Sequence, residues 1–440
     1  MILCHPALLL GCVALAFASS CAESSDSGRI DSGTQSGGSP ATGGGAASGG
    51  AGSPAGGAPG NPATGGSASG GGSAQGSGGS QSGSGAATGS GGAASVGGSS
   101  PGTGGAAGEQ KEPGPVYLGV RFVGRVDGSE PTRPRFTWSG TGFLARFSGT
   151  GLRVKWSNEQ PVMFQVVVDH EEPRSVTAAQ GEATIALAEG LGAGEHTLLL
   201  HRETEGQYGT TAISEIQVLE GELLDPPELP NRLIEIVGDS ITCGYGNLGA
   251  DQSCPFSFDT ESHFVSYGAV AARELDAELS TIAISGHGII RNYDGGTSDL
   301  LPISYERTLT MDPTTSWDFV REPDVVVVNL GTNDFAKGDP GIAFEDEYFR
   351  FLADLRDRHP EAYLLVTLGP MLNGEDLNKA RAYLQNALES MTSMGDDNVG
   401  FLEYAAQGTG ELGCDWHPNT KKHASMATVL TEELRTKLHW

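Results

Sequence analysis

Four short segments of the chain carry the residue types that acyl transfer needs. They are Gly238-Asp239-Ser240-Ile241, Ser285-Gly286-His287-Gly288, Gly331-Thr332-Asn333-Asp334 and Asp415-Trp416-His417-Pro418. Attack on an ester requires a hydroxyl nucleophile, a base to take its proton, and hydrogen-bond donors for the oxyanion. Ser240 suits the nucleophile and His417 the base. The N–H groups of Ser240 and Gly286 and the side-chain amide of Asn333 suit the oxyanion donors. A glycine at 286 lets the backbone approach a substrate closely. Taken singly, each segment is an ordinary turn or helix cap. Together they have a common context, because each stands just past a run with strand character.

Those runs define the elements that must position the chemistry. After Asn231 the chain alternates between strand and helix patterns. Apolar runs at 233–237, 280–284, 325–330, 363–368 and 399–403 read as strands. Helical spacing occupies 264–278, 343–358, 377–391 and 420–438. The run Val325-Val326-Val327-Val328 is continuous, as in a parallel strand buried on both faces. Five strands alternating with helices predict an α/β fold with a doubly covered parallel sheet, whose ligands sit at the carboxyl ends of the strands. From 116 to 219 the texture differs. Short β-type runs (116–123, 142–147, 152–156, 163–168, 184–187, 196–201, 212–219) are separated by turn residues, with no helical period. That spacing predicts an all-β sandwich. Asp225-Pro226-Pro227 and Pro230 mark the break between the two parts.

The remaining N-terminal quarter is unlike either. The chain has 440 residues, 67 of them glycine, and much of that glycine lies between 24 and 113. This stretch is almost wholly Gly, Ser, Ala, Thr and Pro, so it lacks the apolar side chains that offset the entropy of ordering. It reads as a tether with a mean span on the order of 50 Å. Ahead of it, 7–18 is an apolar run of the length of a secretory signal, too short to span a membrane. Ala18-Ser19-Ser20-Cys21 resembles a bacterial lipobox, which implies cleavage before Cys21 and a lipid on its sulfur. Ala22 and Glu23 then favour the outer membrane. The expected layout is a signal at 1–20, an anchor and tether at 21–113, a β-sandwich at 114–226 and a catalytic part at 231–440. Export is expected to the cell surface or, without the lipid, to the medium. With 26 Lys+Arg against 54 Asp+Glu, the net charge is −28. Such a chain is not suited to nucleic acid or to anionic membrane surfaces, so membrane contact is expected only through a lipid at Cys21.

Three aromatic residues near the chemical segments invite a sugar ligand: Trp416, Tyr245 and Tyr293. Flat rings suit the apolar face of a pyranose. His263, His287 and His423 lack metal-ligand spacing, so they are expected to be solvated or loop histidines, with no metal site. Beyond the signal and Cys21, three cysteines remain: Cys243, Cys254 and Cys414. An odd number in an exported protein predicts one disulfide and one free thiol. All three pairings are open.

The four segments resemble the blocks of the SGNH (GDSL-type) hydrolases, in the same order. The similarity is closer to the family-2 carbohydrate esterases. It rests on GDSITCGYG (238–246), SGHGIIRNY (285–293) and VVVVNLGTNDF (325–335), with GPM (369–371), DWHPN (415–419) and the final KLHW. The resemblance extends over roughly 116–440. It implies an SGNH (flavodoxin-like) parallel sheet preceded by a jelly-roll β-sandwich. It also implies cofactor-free removal of O-acetyl groups from plant polysaccharides such as xylan or glucomannan. By motif position it assigns Ser240 as nucleophile, His417 as base, and Ser240, Gly286 and Asn333 as the oxyanion hole. SGNH enzymes in general carry Asp three residues before the histidine, where this chain has Cys414. The partner that orients His417 is therefore either the Asp415 carboxylate, two residues before it, or a main-chain carbonyl, as in family members that work as a Ser–His dyad. Two other functions are compatible with the sequence: a general esterase for small or lipidic esters, and a non-catalytic carbohydrate-binding surface lipoprotein.

Overall fold

The computed structural model of the protein describes residues 114–440. The signal, the tether and Cys21 lie outside the described residues. The first part is all-β. Its nine strands are β1 (Val116–Tyr117), β2 (Val120–Val123), β3 (Arg135–Phe136), β4 (Gly142–Asn158), β5 (Val162–Val168), β6 (Arg174–Ala178), β7 (Gly181–Arg202), β8 (Thr211–Leu219) and β9 (Glu222–Leu223). They pair antiparallel in the order β1-β2-β4-β7-β5-β6, with β8 and β9 also on β4 and β3 on β8. The period of two places Phe143, Ala145 and Phe147 on the buried face of β4. Beyond a register shift near Gly151 it places Leu152, Val154 and Trp156 there too. They pack with Phe122, Phe136 and Phe164 in one core. The Trp156 ring stacks on Phe164 with centroids 5.0 Å apart. Burial of each such ring is worth about 1.5–3 kcal/mol.

Two expected boundaries dissolve here. The runs at 142–147 and 152–156 are one strand, β4, and those at 184–187 and 196–201 are one strand, β7. The residues between them, Gly149, Gly151, Gly190 and Gly194, look like turn signals. In the fold they lie inside the paired strands, where the β4–β7 register shifts between Gly149 and Gly151 and again between Leu152 and Arg153. A glycine in a strand marks a bulge as readily as a turn. Conversely, the run at 116–123 is split into β1 and β2, because Leu118 and Gly119 both take positive φ, 54° and 80°.

The second part alternates as the sequence predicts. Its elements are β10 (Leu233–Gly238), α1 (Ser240–Cys243), α2 (Tyr267–Glu274), β11 (Glu278–Ala283), α3 (Leu301–Tyr305), β12 (Val325–Asn329), α4 (Thr332–Phe335), α5 (Ile342–Arg358), β13 (Tyr363–Leu368), α6 (Gly374–Ser393), β14 (Val399–Glu403) and α7 (Thr420–Leu438). The strands form a parallel sheet in the order β11-β10-β12-β13-β14. Cores lie on both of its faces, one around α5 and α6, the other around α2 and α7. The helix expected over 264–278 is shorter. Ser266 is extended (φ −66°, ψ 157°) and starts α2, while Asp276 at φ 48° ends the turn before β11.

The sheet order places the chemistry. β10 has β11 on one side and β12 on the other, so successive crossovers leave it in opposite directions. That reversal opens a crevice at the carboxyl end of β10. Residues 239 and 240 stand at its mouth, and the loops after β11, β12 and β14 reach the same edge.

Candidate active site

Asp239 is extended and caps α1, accepting a hydrogen bond from Ile241 N at 3.0 Å. Ser240 is therefore the first residue of a helix, with its hydroxyl directed toward His417. The His417 Nε2 lies 2.9 Å from Ser240 Oγ. The other ring nitrogen, Nδ1, lies 3.1 Å from the main-chain carbonyl of Asp415. A carbonyl can only accept, so Nδ1 carries the hydrogen and Nε2 is the free acceptor facing the hydroxyl. Burial lowers the His417 pKa to about 4, despite the opposing effect of the Asp415 carbonyl. The imidazole is thus neutral near pH 7, as a general base must be.

The Asp415 carboxylate faces away from that ring. Its Oδ2 accepts from Tyr245 OH and from Phe256 N, both at 3.0 Å. The backbone explains the divergence: Asp415 and Trp416 both take left-handed dihedrals, φ 49° and 60°. Non-glycine residues hold such dihedrals only where the surroundings over-determine them. Here Asp415 N donates to Cys254 O, Cys414 N to Gly246 O, and Gln407 Nε2 to Trp416 O. The disulfide is Cys254–Cys414, which leaves Cys243 as a buried free thiol. Gly249 admits this bridge, since a Cβ there would stand 2.3 Å from Cys414 Sγ.

The opposite side of Ser240 is lined with donors. Among the described residues, neither Ser240 N nor Gly286 N has an acceptor. Gly286 needs to be glycine for its φ of +81° rather than for space, because an added Cβ would meet little. Asn333, in α4, ties the loops together: its Nδ2 donates to His287 O at 2.8 Å and to Asp239 Oδ2 at 3.2 Å. Asp334 fixes the loop after β11 by accepting from the N–H groups of Ile289, Ile290 and Arg291. Burial raises the Asp239 pKa to about 7, with the charges of Asp334 and Glu205 adding to it.

Aromatic rings surround this centre in two ways. Tyr245 packs against the His417 ring, centroids 4.3 Å apart, and against Phe256 at 4.2 Å. It braces the imidazole as well as the Asp415 carboxylate. Trp416 and Tyr293 are instead 62% and 63% exposed, free to meet a ligand. Two of the three histidines expected to be solvated or in loops are buried, while His287 lies in the loop after β11. His263 is buried between His201 Nε2 and Thr281 Oγ1, and His423 is buried accepting from Tyr267 N. His287 Nδ1 meets Ser285 O at 3.2 Å. Sequence reasoning did not single out Phe256 or Glu205, which sit outside the motifs and in no periodic pattern.

Residues 122–227 match the family model "Carbohydrate esterase 2 N-terminal", and residues 236–424 match "GDSL-like Lipase/Acylhydrolase family". A family two carbohydrate esterase from Clostridium thermocellum, solved in complex with cellohexaose, is 35% identical with a TM-score of 0.71. The match covers 73% of this chain and 100% of that one. The chain belongs to the family-2 carbohydrate esterases. By that membership it is a carboxylic ester hydrolase. A cellulase/esterase, CelE, of Acetivibrio thermocellus is 36% identical over 327 residues, which are 73% of this chain and 40% of that protein. An acetylxylan esterase / glucomannan deacetylase of Cellvibrio japonicus is 29% identical over 329 residues, 73% of this chain and 89% of the relative.

Proposed function

We propose that this protein removes O-acetyl groups from a plant-type polysaccharide, xylan or glucomannan, by way of an acetyl-Ser240 intermediate. The observation that carries the reading is the contact of Ser240 Oγ with a neutral His417 Nε2 at 2.9 Å. In this mechanism Ser240 Oγ attacks the acetyl carbonyl carbon while its proton passes to His417 Nε2. The resulting oxyanion takes hydrogen bonds from Ser240 N, Gly286 N and the Asn333 amide, whose N–H turns to it from Asp239 Oδ2. Collapse breaks the bond to the sugar oxygen, which leaves with the proton from His417. Water then attacks the acetyl-enzyme by the same route, and acetate departs with Ser240 restored. The Asp415 carbonyl holds the imidazole in the correct tautomer and faces the cation that forms. Trp416 and Tyr293 are the rings available to a pyranose, and the cellohexaose complex of the clostridial relative supports a polysaccharide ligand. The names of the Cellvibrio relatives support acetylated xylan or glucomannan.

The decisive experiment compares acetate release from acetylated xylan and glucomannan by residues 114–440 and by their Ser240→Ala variant. Loss of nearly all activity in a folded variant is expected. Retention of more than a few per cent of kcat removes Ser240 from the mechanism. Activity only on 4-nitrophenyl acetate points to a general esterase. Export with a lipid at Cys21 belongs to the same proposal, since it would bring the enzyme to polymers outside the cell. Cys21→Ala is then expected to leave the membrane fraction of the native host, and wild-type protein free in the medium overturns the anchor.

A further inference from the structure

We infer that Glu205, contributed by the all-β part of the chain, is a positioning residue of the hydrolase site: it grips Ser285 and so sets the direction of the Gly286 N–H. The carboxyl group is fully buried. Its Oε2 accepts from Ser285 N at 2.8 Å and its Oε1 from Ser285 Oγ at 2.5 Å. This inference rests on the role proposed for Gly286 as an oxyanion donor.

The geometry of the peptide explains the effect. The Gly286 N–H lies in the peptide plane that joins residues 285 and 286. Its direction follows from the torsions of Ser285, and two bonds from one carboxyl group fix that residue at both its N–H and its side chain. The other anchor of this plane belongs to its own loop: His287 Nδ1 meets Ser285 O, while Tyr293 N donates to Gly286 O in the next peptide. Glu205 is the rigid external reference. It stands directly before the turn Gly206–Tyr208. Arg202, buried at the end of β7, donates to the carbonyls of Thr204, Glu205 and Gly209 and to Thr211 Oγ1. Gly206 passes so close to Thr310 that a Cβ would stand 2.0 Å from its Oγ1. The segment has no room to shift.

A carboxylate near an oxyanion hole opposes the charge that develops there, so its presence calls for a reason. An apolar side chain would leave the Ser285 N–H and hydroxyl, both half-buried, without these acceptors, which costs stability. Burial, then the charge of Glu205, push the pKa of neighbouring Glu261 well up.

The test compares Glu205→Gln, Ser285→Ala and the double variant on an acetylated polysaccharide, each with circular dichroism and a melting curve. Glutamine offers one acceptor oxygen to two donors and turns an NH2 group toward the other. Glu205→Gln is expected to lower kcat roughly 10–100-fold, below the ~10²–10³ typical for loss of a whole oxyanion donor, with KM within about twofold. Ser285→Ala is expected to lower kcat about three- to tenfold, and the double variant to be no worse than Glu205→Gln alone. A purely structural role would lower the melting temperature and leave kcat unchanged, which overturns the inference. If Glu205→Gln does not fold, unchanged kcat in Ser285→Ala overturns it equally. Ser240→Ala, run beside them, separates the two layers. Activity surviving in Ser240→Ala sinks the site reading and this inference with it. Wild-type kcat in Glu205→Gln with an inactive Ser240→Ala sinks this inference alone.

Discussion

At the scale of single residues, the informative fact is which oxygen of Asp415 meets the imidazole. It is the main-chain carbonyl, while the carboxylate serves Tyr245 and Phe256 N. Where a carboxylate partners the histidine of a serine protease, its change to the amide costs about 10⁴ in kcat. Asp415→Asn is therefore expected to cost less than about tenfold, since the amide oxygen still accepts from Tyr245 or Phe256 N. The pH profile sharpens the test. His417 is buried and its pKa is lowered to about 4, so the base is unprotonated above that value. The acid limb of kcat/KM is expected near pH 4, with activity lost as pH falls through it. Asp415→Asn is expected to move that limb only slightly, and downward, because the carboxylate is the last and smallest influence on the ring. A loss of three orders of magnitude in a folded variant would instead show that the carboxylate takes part directly.

At the scale of elements, the loop that presents His417 is held by a bridge to a distant loop. Cys254 and Cys414 are 160 residues apart in sequence. A cross-link closing so long a loop is worth up to about 5 kcal/mol in the chain-entropy picture, and commonly less. Cys254→Ser is expected to lower the free energy of unfolding by about 2–5 kcal/mol in urea titration and to reduce kcat as the His417 loop loosens. Reduced wild-type protein is expected to match it, and a variant as stable as wild type would show that the bridge contributes nothing. The pairing was not legible in the sequence, because the three cysteines differ only in what the fold brings near them. The parallel sheet was legible. Val325–Asn329 and Tyr363–Leu368 are buried along their whole length, and apart from Asn329 and Thr367 they read as apolar runs. The long strands β4 and β7 were not, because glycines that bend a bulged strand look the same in sequence as glycines that end one. Short β6 (Arg174–Ala178) also escaped notice, since only Val176 and Ala178 of its five residues are buried. Phe256 and Glu205 were invisible for a related reason. Their partners are set by tertiary contact, with no local spacing to betray it.

At the scale of the whole molecule, the all-β part is built into the hydrolase part rather than appended to it. Trp138 joins the core around α5 and α6 and donates from Nε1 to Thr308 O at 2.9 Å. Thr137 and Thr310 share a hydrogen bond of 2.8 Å, and His201 meets His263 at 2.9 Å. Glu203 accepts from Ser262 Oγ and Phe264 N. Arg125, fully buried, donates to the carbonyls of Tyr305 and Arg307 and faces Glu235 of β10 at 3.4 Å. Burial alone would raise the Glu235 pKa, but the Arg125 charge, with bonds from His359 and Tyr305, holds it at about 2. Removing one member of such a pair leaves a buried charge uncompensated, at a cost of about 3–5 kcal/mol. A fragment of residues 231–440 would carry Glu235 without Arg125, an open socket in place of Trp138, and a Ser285 without Glu205. We expect that fragment to lack cooperative folding and esterase activity. Residues 114–440 should unfold in one calorimetric transition, with the van't Hoff enthalpy equal to the calorimetric one. Arg125→Met should lower the melting temperature of that single transition without dividing it, because the lost contact supports both parts at once. Two resolved transitions in the wild type, or an active fragment of 231–440, would mean that the parts fold separately and that the contacts between them only dock finished units.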